Sequence, residues 1–249
     1  FPAAVAKVLE VTGSGSVQVL AHSFGSITLL MSLLAGLRGV RSVVCSQGSA
    51  HLVSPAMTRI ASSLRLPSIL AALGVESLSA YVDTHGDWLD RLQNRILRVY
   101  PVGDDASCDD PVCRRITFLY GQLYEHAQLN SASHGALRQL FGVANIKALE
   151  HLVRIVSAGQ LVNSSGDDVY LPNPERLRLP ITFIHGAEDG CLLPQGSKLT
   201  YDFLVAQHGD HLYQRHVIPG YGHMDCIFGQ NAVDDVYPLI LNHLESFGA

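Results

Sequence analysis

The sequence predicts an α/β fold, a mostly parallel sheet flanked by helices and interrupted by a large helical insertion. Three observations carry this. Short apolar runs at 17–21, 40–45, 181–185 and 212–218 alternate with segments of helical period, the pattern of strands joined by crossover helices. The first run passes into the apolar helical run 27–37 through Ala21-His22-Ser23-Phe24-Gly25, a sharp strand-to-helix turn that lifts a serine hydroxyl off the sheet edge. About 130 residues separate the second and third runs, where a parallel crossover needs only a dozen or so.

Each element has a local reason. Residues 1–11 read as a helix, with Val5, Val8 and Leu9 on one face and Gly13 and Gly15 ending it. The strand 17–21, the helix 27–37 and the strand 40–45 form a β-α-β unit whose right-handed sense is nearly obligatory. Residues 1–49 are therefore assigned to the core, and 50–175 to a helical cap over the active-site edge. Within the cap, Trp88, Leu89, Leu92, Ile96 and Val99 share one helical face. Ile146, Leu149, Leu152, Val153 and Val156 share another before Gly159. Further helices are expected over 67–78, 112–124 and 134–141, separated by polar loops at 101–111 and 163–174. From 176 to 249 the core resumes: a buried strand to His185, a loop carrying Glu188 and Asp189, a helix over 197–207, the strand 212–218 and the loop Gly220-Tyr221-Gly222-His223. A last helix over 231–247 follows, its inner face formed by Val233, Val236, Tyr237, Ile240 and Leu244.

Composition narrows the function classes. With 249 residues and 47% hydrophobic side chains the chain can bury a sizeable core. Seventeen basic against 22 acidic residues, a net charge of −5 and no basic tract exclude nucleic acid as a partner. The longest uncharged apolar stretch, 26–37, is well short of the roughly 20 residues that cross a bilayer, so no membrane span is expected. The five cysteines are scattered and odd in number, which points to a reducing, cytoplasmic compartment. Cys108 and Cys113 can pair, or join Asp104, Asp105, Asp109 and Asp110 around a metal. With no second cysteine pair to complete a zinc set, a solvated acidic loop is expected and no metal. The chain opens at Phe1 with no signal-peptide pattern and is expected to be a fragment that lacks the early strands of its sheet.

The candidate chemistry is nucleophilic. Ser23 needs a base within hydrogen-bond reach, and His223 is the candidate; a carboxylate, Asp189 or its neighbour Glu188, would accept the other imidazole N–H and fix the tautomer. The backbone N–H of Phe24 would face the oxyanion. A second donor ordinarily comes from a loop after an earlier strand, which this sequence does not contain. Ala21 stands where the elbow usually has glycine, crowding the turn without forbidding it. His22 and His185 are expected to pack or hydrogen-bond rather than catalyse. His126, His134 and His151 lack metal-ligand spacing and are expected to make cap or surface hydrogen bonds.

These residues resemble the α/β-hydrolase superfamily on its lipase and esterase side, in which the nucleophile, acid and histidine follow in this chain order. More narrowly, 17–25, 111–118, 142–146 and 220–229 resemble the hydrolase domain fused behind glucose-methanol-choline oxidoreductases of the cholesterol-oxidase type. The resemblance implies Ser23, Asp189 and His223 as a catalytic triad and an apolar ester or a lipid- or steroid-like compound as substrate. It also implies covalent fusion to an upstream oxidoreductase domain. No Gly-x-Gly-x-x-Gly fingerprint is present, so no cofactor is expected in this chain, and any FAD would belong to that upstream domain. The expected activity is hydrolysis of an acyl ester through an acyl-enzyme; the alternative is an accessory, non-catalytic domain of the flavoenzyme.

Overall fold

The computed structural model describes residues 1–55, 77–79, 108, 110–141 and 143–248. Helix α1 (Pro2–Thr12) starts on a proline that needs no N–H partner and stops where Gly13 turns left-handed, at φ 66°. Strand β1 (Val17–His22), helix α2 (Phe24–Leu34) and strand β2 (Val40–Ser46) form the first crossover. In the insertion, β3 (Ser77–Ser79) pairs antiparallel with β4 (Val143–Asn145), and three helices are described: α3 (Pro111–Tyr120), α4 (Ser131–Leu140) and α5 (Ile146–Ala158). The core resumes with β5 (Ile181–Gly186), α6 (Gln195–His208) and β6 (Tyr213–Ile218). Two single-turn helices, α7 (Asp225–Phe228) and α8 (Ala232–Asp235), lead to α9 (Tyr237–Ser246).

The four strands β1, β2, β5 and β6 lie in that order, and every pairing is parallel, so their carboxyl ends share one edge. That edge gathers the segments after His22, Ser46, Gly186 and Ile218. Period-two alternation sorts the core. Val43 and Cys45 pack with Ile27, Leu30, Ile181 and Phe183 on one face, while Val44 packs with Ile184, Ile218, Val236 and Ile240 on the other. Ile155, Leu161 and Val162 of the insertion join the first of these clusters. Strand β1 is outermost among the described strands, and Leu20 on it is 45% exposed.

Several elements differ from expectation for identifiable reasons. The helix expected over 231–247 is broken at Val236, because Pro238 in the first turn of α9 has no N–H to carry a continuous ladder and its ring would crowd the preceding turn. Helix α3 ends at Tyr120, capped by Gly121 at φ 88°, so Leu123 and Tyr124 lie in a loop rather than in the helix expected over 112–124. Of the helix expected over 67–78, Ser77 and Leu78 are in β3 instead, paired with Asn145 and Ala144; residues 67–76 and the 88–99 stripe lie outside the described residues. No described helix is long and apolar enough to cross a membrane.

Candidate active site

The turn after β1 holds Ser23 at φ 54° and ψ −125°, a conformation that an L-residue occupies only when its surroundings impose it. The constraints are visible. Ser23 donates its backbone N–H to the carbonyl of Ser46 at 2.7 Å, and its own carbonyl accepts the N–H groups of Ser26 and Ile27 at 2.9 and 3.2 Å. The Ser26 hydroxyl donates to Ala21 O and Ser46 O, bracing the turn from inside. Gly48 passes so close that a Cβ there would stand 2.7 Å from the Ser23 carbonyl oxygen. Ala21 is accommodated, buried against the first core cluster. Phe24 begins α2, so its N–H has no acceptor within the helix, and the residue is 37% exposed beside Ser23.

The hydroxyl of Ser23 lies 2.6 Å from Nε2 of His223 and donates to it, and Nδ1–H of His223 donates to Asp189 Oδ2 at 2.7 Å. Three side chains from three separate loops thus form one hydrogen-bond chain at the carboxyl edge of the sheet. Asp189 is 2% exposed, and its Oδ1 accepts the N–H groups of Cys191 and Leu192 at 2.8 and 2.9 Å. Burial alone would push its carboxyl up. The His223 ring beside it, with the imidazole hydrogen bonds, outweighs that and holds it well below the usual carboxylate range. Glu188, the rival acid, is exposed and among the described residues reaches only the Gly220 N–H, at 3.5 Å.

The neighbouring imidazoles brace this chain. His185 donates from Nε2 to Leu192 O at 2.7 Å, with Asp189 Oδ2 3.2 Å away. His22 stacks edge-on against His223 with ring centroids 5.3 Å apart, and it bonds to Ser46 Oγ. Burial, and then the charge of a protonated His223, push the His22 ring down to about 3, so it remains neutral. His151 bonds within the insertion, to Val162 O at 2.8 Å.

The histidine loop is held from two sides. At the end of β5, a Cβ on Gly186 would collide with the carbonyl oxygens of Tyr221 and Gly222. From the insertion, Met224 N–H donates to Leu123 O, and Gln128 Nε2 donates to Gly220 O. Asp225, fully buried, accepts the N–H groups of Gly222 and Glu125. Asp225 carries no sequence signal, since a lone aspartate two residues past a histidine reads as a solvated loop residue. The structure also brings His126 and His134 up to Cys108 and Cys113, an approach that sequence spacing does not signal.

No known family's profile matches the chain, and no curated protein sequence is similar to it. Solved structures are similar in three dimensions. A carboxylesterase of the ammonia-oxidising thaumarchaeon Nitrososphaera gargenis shares 12% identity at a TM-score of 0.53, over 97% of this chain and 70% of that one. A thermophilic esterase of Thermogutta terrifontis shares 13% at 0.53, over 97% and 70%. A bromoperoxidase of Bacillus anthracis shares 14% at 0.50, over 96% and 71%. At these identities the likeness shows the fold, which is that of the α/β-hydrolases.

Proposed function

We propose that the chain is a serine hydrolase that cleaves an apolar acyl ester through an acyl-enzyme. The observation that carries this reading is the unbroken Ser23–His223–Asp189 hydrogen-bond chain at the end of a nucleophile turn. Ser23 Oγ attacks the ester carbonyl as His223 Nε2 takes its proton, and Asp189 holds the Nδ1–H and stabilises the imidazolium. The N–H of Phe24 donates to the developing oxyanion. The imidazolium then protonates the departing alcohol. Water, deprotonated by the same nitrogen, attacks the acyl-serine and releases the acid. Protein groups and water balance the reaction. The exposed Phe24 beside the nucleophile favours an apolar acyl or alcohol group, and the insertion, pinned to the histidine loop, serves as a cap over that edge.

The test is active-site labelling. A fluorophosphonate probe should modify Ser23, protection should follow from an apolar ester, and both labelling and ester hydrolysis should vanish in Ser23→Ala. A well-folded chain that neither labels nor turns over short- or long-chain aryl esters would instead favour the accessory role, presenting an apolar compound to a fused oxidoreductase.

A further inference from the structure

We infer that Cys108, Cys113, His126 and His134 form a structural zinc site. Their ligand atoms, one from each side chain, all lie within 4.8 Å of one another. The edges of a tetrahedron with Zn–S near 2.3 Å and Zn–N near 2.0–2.1 Å run roughly 3.3–3.8 Å. Both sulfurs already approach that spacing, Cys108 Sγ at 3.3 Å and Cys113 Sγ at 3.1 Å from His134 Nε2. The His126 and His134 rings sit 5.4 Å apart between centroids and tilted, which lets both turn a nitrogen toward one point.

The surroundings favour a closed, structural ion over a catalytic one. The ligands come from four places: the segment before α3, the first turn of α3, the 3-10 turn His126–Gln128, and α4. Four protein ligands leave no open position for water. Soft sulfur with imidazole selects zinc over magnesium or calcium. Binding converts two thiols to thiolates and releases two protons, so two negative charges meet a dication and the site is neutral, as half-buried surroundings require. Asp110 caps α3, its Oδ1 accepting Val112 N–H at 2.8 Å. Among the described residues, Ile116, Leu123 and Leu137 lie fully or nearly buried beside Cys113, and a metal cross-link would tie the segments that carry them together.

The experiment is metal titration of the full chain after reduction and chelator treatment. Cobalt(II) should bind at one ion per chain and give the intense ligand-field absorption of a tetrahedral site with thiolate-to-cobalt charge transfer. Zinc should displace it stoichiometrically and raise the melting temperature. Cys113→Ser should weaken binding by more than the roughly 10–100-fold that loss of an outer-shell partner causes, and should diminish the charge-transfer band to what the Cys108 thiolate alone gives. His134→Ala should weaken binding by a similar factor. Because these variants could unfold the insertion, the spectrum of the unmutated chain is decisive by itself. An octahedral cobalt spectrum, binding indifferent to both substitutions, or a stable Cys108–Cys113 disulfide in protein purified under reducing conditions would overturn the inference.

Discussion

Oδ2 of Asp225 accepts the backbone N–H of Glu125 at 2.7 Å, joining two points 100 residues apart in the chain. The same oxygen accepts Gly222 N–H at 2.8 Å, one residue before the candidate base. Burial pushes this carboxyl up to about 6, against the two amides that pull it down. A group raised in the folded state lends stability that is complete below the unfolded carboxylate pKa and is lost as pH climbs through the folded one. The stability of the native chain relative to Asp225→Asn should therefore fall between about pH 4 and pH 6, by at most about 3 kcal/mol, and then stay level. Asparagine keeps one oxygen for the two amides and places its NH2 at Oδ1, which has no partner among the described residues. Denaturant melts of both proteins across that range measure the difference; a pH-independent gap would refute the assignment.

Ser23 should be more stable as glycine than as alanine. Both substitutions remove the hydroxyl and its bond to His223, but alanine keeps a Cβ at φ 54° and glycine does not. Relief of that conformation is worth about 1 kcal/mol after glycine's extra unfolded-state entropy. Both variants should lose four to six orders of magnitude in kcat, on the order seen when a serine nucleophile is removed. Equal melting temperatures for the two would mean the turn is not strained.

Asp189→Asn should lower kcat by roughly 10⁴-fold with little change in KM, since the amide can present the wrong group to His223 Nδ1–H. Glu188→Gln, at an exposed carboxylate, should stay within about twofold of the parent. The ratio of the two effects is the measurement, and comparable losses would return Glu188 to contention.

Gly186→Ala should act on catalysis from the floor of the site. Its Cβ must displace the Tyr221 and Gly222 carbonyls and with them the His223 backbone. A misplacement near 1 Å costs about 100-fold in rate. Single-turnover acylation should slow accordingly while the fold persists by circular dichroism; an unchanged acylation rate would show that the loop yields without moving the ring.

What the sequence disclosed follows the range of the physics involved. Strands β1, β2, β5 and β6, with helices α1, α2 and α5, were legible because their period and glycine stops act within a few residues, as at Gly13 and Gly159. The order Ser23, Asp189, His223 was legible because each lies just past an apolar strand. Pro238 was a local signal for the break at Val236, outweighed by the apolar stripe that runs through it. By contrast, the approach of His126 and His134 to Cys108 and Cys113, the burial of Asp225 and the extended state of Leu78 depend on partners remote in sequence. No window of local composition contains them.

Five hydrogen bonds bolt 123–128 of the insertion to 220–230: Glu125 to Asp225, Met224 to Leu123, Gln230 to Gln128, Gln128 to Gly220 and Gln230 to Ala127. Grafting the insertion of another protein of this fold onto this scaffold would therefore leave the imidazole loop without its outer wall. A chimera built to change substrate range needs both strips exchanged together, as a single cassette.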